Sequence, residues 1–161
     1  MKKINDYIVY RKLVCKIIDI KDNKYTLVPM SDDSIKMQVP TDSKFLRDLI
    51  TKEEIDKLLI EMPTIDVINN RDKIIEGEYK ELMTSGTHQD LIKIIKTAYM
   101  RNEQRRMNNK KTSDKDNEYF ERAEKYLYEE LSVVLNKSYD ETKEYVIDKV
   151  TKYAKNICIS S

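Results

Sequence analysis

The sequence predicts an α+β protein in which a short β module precedes a longer helical one. Two observations carry this prediction. Up to about Val39 the apolar residues alternate with polar ones, the period of a half-buried strand, and from about Thr51 they recur every three to four residues, the period of a helix packed on one face. The punctuation changes at the same place. Asx-rich turns separate the early runs, whereas helix-capping patterns introduce the later ones.

Tyr7-Ile8-Val9-Tyr10 reads as a first strand and Leu13 to Ile20 as a second, whose continuous apolar character predicts burial. Asp22-Asn23 supplies a turn, because both side chains tolerate turn backbone angles. Tyr25 to Met30 is the third strand, Asp32-Asp33 the next turn, and Ile35 to Val39 a strictly alternating fourth strand. Pro40 ends the ladder because it has no N–H to donate. Four short strands joined by tight turns bury too little as a flat sheet, so they are expected to curl into an SH3-like or Tudor-like barrel.

Thr51-Lys52-Glu53-Glu54 is a capping-box pattern, followed by Ile55, Leu58 and Leu59 on one face, and Met62-Pro63-Thr64 stops that helix. The domain boundary is placed there. Residues 1–62 form the β module with its trailing helix, 63–155 the helical domain, and 156–161 a tail. A second helix runs from about Asn70 to Ser85 with Ile75, Tyr79, Leu82 and Met83 inward, and Gly86 is its C-terminal cap. Thr87 to Asp90 opens a third helix as another capping box, with Leu91, Ile94, Ile95 and Ala98 as its stripe. Asn108 to Asp116 is a polar break. Phe120, Ala123, Leu127, Leu131 and Val134 mark a fourth helix, and Ser138 to Glu141 caps a last one with Thr142, Val146, Val150 and Tyr153 facing in. No helix from Asn70 on could bury its stripe alone, so an all-α helical bundle is expected.

With 40% hydrophobic and 37% charged residues the chain is a highly charged domain protein with a modest core. A net charge of +1 gives no global attraction to nucleic acid or anionic membrane, so such an attraction must come from a local patch. No apolar run is long enough to span a bilayer, and no leader-type apolar core follows Met1-Lys2-Lys3, so a cytoplasmic protein without a membrane partner is expected. Cys15 and Cys158 are far apart and fit no metal or redox spacing.

Catalytic chemistry finds no constellation, so no enzyme, no metal and no cofactor are expected. His88 is the only histidine, in a helix first turn where a capping or solvated role is expected. There is no phosphate-cradling glycine loop, and the acids are scattered over helix faces. The tyrosines divide between stripe positions (Tyr79, Tyr145, Tyr153), expected in the core, and stripe borders (Tyr99, Tyr126, Tyr128), where exposure is open.

Two candidate binding surfaces do stand out. Between Leu91 and Lys111 lie Lys93, Lys96, Arg101, Arg105, Arg106, Lys110 and Lys111, opposed only by Glu103. Such a run can neutralise phosphates by counterion release, favouring backbone contact over base reading; its alternative reading is a solvated helix end favoured by the macrodipole. The strand Ile35 to Val39, with Lys36 and Gln38 outward, is a candidate edge for strand addition by a protein partner; its alternative reading is an edge protected by its own charge.

At this point the chain resembles, from about Ile4 to Tyr153, the CarD/CdnL-like family of bacterial transcription regulators. Asn5 to Tyr10 looks like the family's opening "GD-x-V-V-Y", Cys15 to Ile20 its second strand, and Met37-Gln38-Val39-Pro40 its "V-x-V-P". Tyr79 to Gly86 looks like the helix end before "SGD", Ile94 to Arg106 like "VVRDL-x-R-x-x-x-R", and Glu118 to Leu135 like "EK-x-x-x-x-A-x-x-x-L-x-x-E-L". The resemblance implies a Tudor-like domain that binds the RNA polymerase β subunit and a helical domain that contacts promoter DNA, together stabilising the open complex at the upstream edge of the bubble. It places Lys36 and Gln38 on the polymerase-facing strands, with Lys21, Asn23 and Lys24 in the turn nearby. It sets Lys93, Arg101, Arg105, Arg106, Lys110 and Lys111 near the DNA backbone.

The chain departs from the family pattern in three places. Tyr10-Arg11-Lys12-Leu13-Val14 stands where the family has "Y-P-x-H-G", the loop between the second and third strands is shorter, and there is no tryptophan. The family inserts a Trp into the minor groove. Counting back from Gly86, that position falls at about Asp72, and an acid is no apolar wedge. Arg71 and Lys73 are left to hold phosphates there. The alternative reading is a polymerase-tethered adaptor whose helical domain binds a protein and not DNA.

Overall fold

The structure, a computed structural model, describes residues 1–69 and 72–160, with side-chain surroundings for all of these except 72, 73 and 155–160. It is α+β, as the change of period predicts. The strands are β1 (Tyr7–Tyr10), β2 (Leu13–Lys21), β3 (Lys24–Pro29), β4 (Met37–Pro40) and β5 (Leu46–Arg47). They form a five-stranded antiparallel sheet in the order β4-β3-β2-β1-β5, curled into a half-barrel. The helices are α1 (Lys52–Glu61), a 3-10 turn (Met62–Thr64), α2 (Asp72–Ser85), α3 (His88–Met107), α4 (Asp114–Leu135) and α5 (Tyr139–Ser160). Among the described residues no helix is long and apolar enough to cross a membrane.

Local chemistry explains most boundaries. The two-residue loop Asp22-Asn23 joins β2 to β3 with both residues at positive φ, 54° and 59°, the backbone that matches the strand twist of a tight hairpin. Thr51 caps α1 in a complete box: its hydroxyl accepts from the Glu54 N–H at 3.1 Å, and the Glu54 carboxylate accepts from the Thr51 N–H at 3.2 Å. Ser138 and Glu141 make the same reciprocal pair at the start of α5. Gly86 follows α2 at φ 60° and donates its N–H to the Leu82 carbonyl.

Several expectations are corrected. The fourth strand is Met37–Pro40, so Ile35 and Lys36 lie in the loop before it. β5, a two-residue strand paired to β1, carries too short a pattern to be seen in sequence. β2 is buried only in its first half. A register shift between Ile17 and Asp19 leaves Ile18 and Ile20 exposed. Thr87 caps α3, but the Asp90 side chain accepts from the Ser85 hydroxyl and does not reach back to Thr87, an aspartate being one carbon short of the Glu that closes a box. The polar break ends at Ser113, which caps α4, so Asp116 lies inside its first turn. Tyr128 is buried, Tyr126 packs on the core rim, and Tyr99 is exposed.

Two apolar cores result. Ile8, Cys15, Ile17, Tyr25, Leu27 and Val39 fill the concave face of the sheet. The larger cluster collects the buried residues of α1 to α5. The helix grouped with the β module by sequence therefore packs elsewhere: Ile55, Leu58 and Leu59 of α1 belong to the helical core, where α1 touches α5 and α4. On the other face of the sheet Val9 and Val14, paired across β1 and β2, are buried where α4 packs on β2. Burial pushes the Cys15 thiol up to about 11, with nearby Glu129 adding to the effect, so it is a small core residue and no nucleophile.

A polar clamp sets how sheet and helices sit together. Glu130 of α4 is 2% exposed. Its carboxylate accepts two bonds from Arg47 of β5, at 2.8 and 2.9 Å, and one from the Ile50 N–H at 2.7 Å. His88 Nε2, in the first turn of α3, lies 2.9 Å from Glu130 Oε1. Burial pushes this carboxyl up, but the hydrogen bonds from Arg47 and His88 outweigh it and hold it at about 2, below the ordinary 4.5. Because the folded value lies below the unfolded one, the clamp stabilises the fold fully above about pH 5 and loses that contribution as pH falls toward 2. Acid titration followed by circular dichroism should show stability draining across that window. Glu130→Ala should cost about 1–3 kcal/mol in urea unfolding, since it strands the buried Ile50 N–H and removes the anion from Arg47, whose half-exposed guanidinium keeps the Asp48 carbonyl and water.

Candidate functional site

The first candidate surface is the β4 edge. β4 pairs only with β3, through Thr26 opposite Gln38 and Tyr25 opposite Val39. Val39 is buried and Gln38 exposed, so the strand keeps the alternation that pattern predicts. Its other side is a sheet edge, with backbone groups available to an added strand. Lys21, Asn23 and Lys24, in and beside the β2–β3 hairpin, are exposed, as are Lys36 and Gln38. Lys24 lies opposite Pro40, so the hairpin and the edge strand present one continuous border. Lys21, Asn23 and Lys24 lie at the Pro40 end of the edge strand, and Lys36 at its Met37 end.

The second candidate surface, the basic run of α3, divides by environment. Lys96 is not a surface charge: its ammonium donates to the carbonyls of Met62 (3.0 Å), Pro63 (3.4 Å) and Ile65 (2.5 Å), closing the carbonyl-rich end of α1 and its 3-10 turn. Burial lowers the Lys96 pKa, with the nearby Asp66 carboxylate opposing.

Arg101 and Arg105, four apart on one face, converge on Asp116, which is fully buried. Arg101 Nε lies 3.1–3.2 Å from both carboxylate oxygens, and Arg105 Nη1 donates to Oδ2 at 2.6 Å. The Tyr79 hydroxyl donates to Oδ1 at 2.7 Å. Burial, then the bond to Asp116, pushes the Tyr79 hydroxyl far up, so it stays a donor. Beside them the Asn102 side chain accepts from the Ser113 N–H at 3.0 Å and donates to Asn117 at 2.8 Å. This network joins α2, α3 and α4. It gives the two arginines a structural task that sequence did not anticipate, because Asp116 sits in a stretch read as a solvated break.

The remaining cations of the run are differently placed. Arg106 is exposed and paired to Glu103 one turn earlier. Asn109, at φ 56°, turns the chain at the end of α3, and the Lys110 N–H donates to the Arg105 carbonyl at 2.8 Å. Lys110 and Lys111 are thereby fixed at the helix end, exposed and without an ion pair among the described residues. Arg101, Gln104, Arg105, Asn108 and Lys110 line a shallow groove there. Lys93, half-buried, lies farther back on α3. Arg71 lies outside the described residues, as do the side chains of Lys73, Asp72 and Cys158.

His88 is a correction of a different kind: it belongs to the Glu130 clamp and is not a merely solvated cap. One signal could have found Glu130. It stands between Leu127 and Leu131 on the buried stripe of α4, where a carboxylate needs a cationic partner. No family model matches this chain, and no curated protein matches it either.

Replacing Asp116 by Ala should destabilise the protein by about 3–5 kcal/mol, because it removes the buried carboxylate on which two guanidiniums and the Tyr79 hydroxyl converge. Tyr79→Phe, which removes one hydroxyl bond, should cost about 1–2 kcal/mol. Both are read by urea unfolding.

Proposed function

We propose that this protein is a non-enzymatic transcription regulator of the CarD/CdnL-like kind, in which a Tudor-like β module docks on the RNA polymerase β subunit and a helical bundle contacts upstream promoter DNA. The observation that carries the reading is the pairing, in one chain, of an exposed β4 edge with a basic helix end. Lys21, Asn23, Lys24, Lys36 and Gln38 border the edge, and Arg106, Lys110 and Lys111 mark the helix end. The order and spacing of the motifs from Asn5 to Leu135 support it. Strand addition at β4 supplies main-chain hydrogen bonds, and the lysines add charge selectivity. At the helix end Arg106, Lys110 and Lys111 neutralise phosphates, while Arg101 and Arg105, anchored on Asp116, shape the groove beside them. A protein that binds the open complex more tightly than the closed one shifts the equilibrium toward opening.

A second reading is favoured by a specific observation. Arg101 and Arg105 are held on a buried carboxylate, and the chain has no Trp, so the phosphate-binding capacity of the helical module is smaller than its sequence charge. In this reading the protein is a polymerase-tethered adaptor whose helical module binds a protein.

Binding to the isolated β-subunit lobe and to a forked promoter duplex, each at two salt concentrations, separates the two. Lobe binding with salt-sensitive fork binding supports the regulator; lobe binding alone supports the adaptor; loss of both overturns the family reading. Lys36→Glu should weaken lobe binding severalfold and leave duplex binding unchanged. Lys110→Gln with Lys111→Gln should flatten the salt dependence of duplex binding by about 1.8 in log–log slope.

A further inference from the structure

A second cationic groove lies at the opposite edge of the sheet, where the β1–β2 turn, the chain leading into β5 and the end of α2 meet. Arg11, Lys12, Lys44 and Phe45 line it with Ser85 and Gly86. The cluster is built, not incidental. Arg11 sits at the turn with φ 57°, and its N–H donates to the Phe45 carbonyl at 3.0 Å, which fixes the two segments against each other. Its guanidinium lies 4.1 Å from the centre of the Phe45 ring, and the Lys44 ammonium lies 5.3 Å from the same ring. Arg11 Nε donates to the Tyr10 hydroxyl at 3.3 Å. The Lys12 side chain passes over Gly86, where a Cβ would come within 2.8 Å of it. No acid lines the groove. Arg47, which also lines it, is paired to Glu130, whereas Arg11, Lys12 and Lys44 have no ion pair among the described residues.

We infer that this groove is a contact for the sugar–phosphate backbone of a nucleic acid, separate from the end of α3. Three cations from two segments, exposed Arg11 and half-buried Lys12 on the turn and exposed Lys44 before β5, stand together, and the hydroxyls beside them are already engaged: Thr84 donates to the Lys80 carbonyl, and the single Ser85 proton is directed at the Leu82 carbonyl and the Asp90 carboxylate. The groove therefore offers cationic N–H donors and few side-chain acceptors. Charge of that kind suits phosphates read without sequence preference and suits poorly an acidic peptide, whose main chain asks for donors and acceptors. Position favours a duplex. The groove adjoins Gly86, just before α3, and the Lys110–Lys111 cluster follows its last turn. A helix of 20 residues spans about 30 Å, close to the roughly 34 Å of one turn of duplex DNA. The inference rests on the proposed function only for the class of polyanion.

The test is the salt dependence of binding of the full chain to a fluorescent 20-base-pair duplex. Arg11→Gln/Lys12→Gln/Lys44→Gln should reduce the log–log slope by about 2.7, and the lysine-only variant Lys12→Gln/Lys44→Gln, which leaves the Arg11–Phe45 contact intact, by about 1.8. Circular dichroism confirms that each variant folds. If both leave the slope unchanged while Lys110→Gln/Lys111→Gln flattens it, the groove inference is overturned and the proposed function stands. If no variant changes the slope, the DNA contact of both is overturned. Loss of binding to polyglutamate with the duplex slope intact assigns the groove to an acidic peptide and overturns the inference.

Discussion

The carboxylate of Glu130 joins four parts of the chain: β5 through Arg47, the connector through the Ile50 N–H, α3 through His88, and α4, on which it sits. Apolar contact between α4 and the sheet is non-directional and would tolerate sliding or rotation. A buried anion does not tolerate it, because each lost donor leaves charge uncompensated in a low-dielectric interior. Both oxygens are occupied, so the β module has one orientation on the helices in which this group is satisfied. The positions of both candidate surfaces relative to one another follow from that constraint.

The same logic recurs along α3. Its first turn meets Glu130 through His88, its middle ties Lys96 to the carbonyls beyond α1, and its last turns hold Arg101 and Arg105 on Asp116. A helix that reads as a basic strip is thus an internal strut with most of its inner cations committed. The charge left for a partner is concentrated at its end and at the groove beside its start. A polyanion would therefore meet two separated clusters and not a continuous stripe, and the helical core, in which no polar side-chain atom among the described residues is buried and unpartnered, is built around those commitments.

Much of the architecture was legible because it depends on local chemistry. The change from period two to period 3.6, the Asp22-Asn23 hairpin, the Thr51 and Ser138 capping boxes and the stripes of α2 to α5 each arise within a few residues, where backbone preference and one-sided burial leave a direct trace. The fourth strand was legible only in part: alternation pointed to Ile35 through Val39 with Pro40 ending the ladder, whereas the strand runs from Met37 and keeps Pro40 paired opposite Lys24.

What the sequence by itself determined is which segments are strands and helices, which faces are apolar, and which residue types carry charge. Tertiary structure alone decided what those charges do. Arg47 and Glu130 are separated by 83 residues, and Arg101 and Asp116 by 15, so no local pattern announces either pair. It likewise decided that α1 packs with the distant α4 and α5, and that β5 exists at all, since two residues form a strand only when β1 is already there to pair with them. Local preference acts along the chain, whereas the cost of burying a charge is settled only by whatever the fold brings within hydrogen-bonding distance.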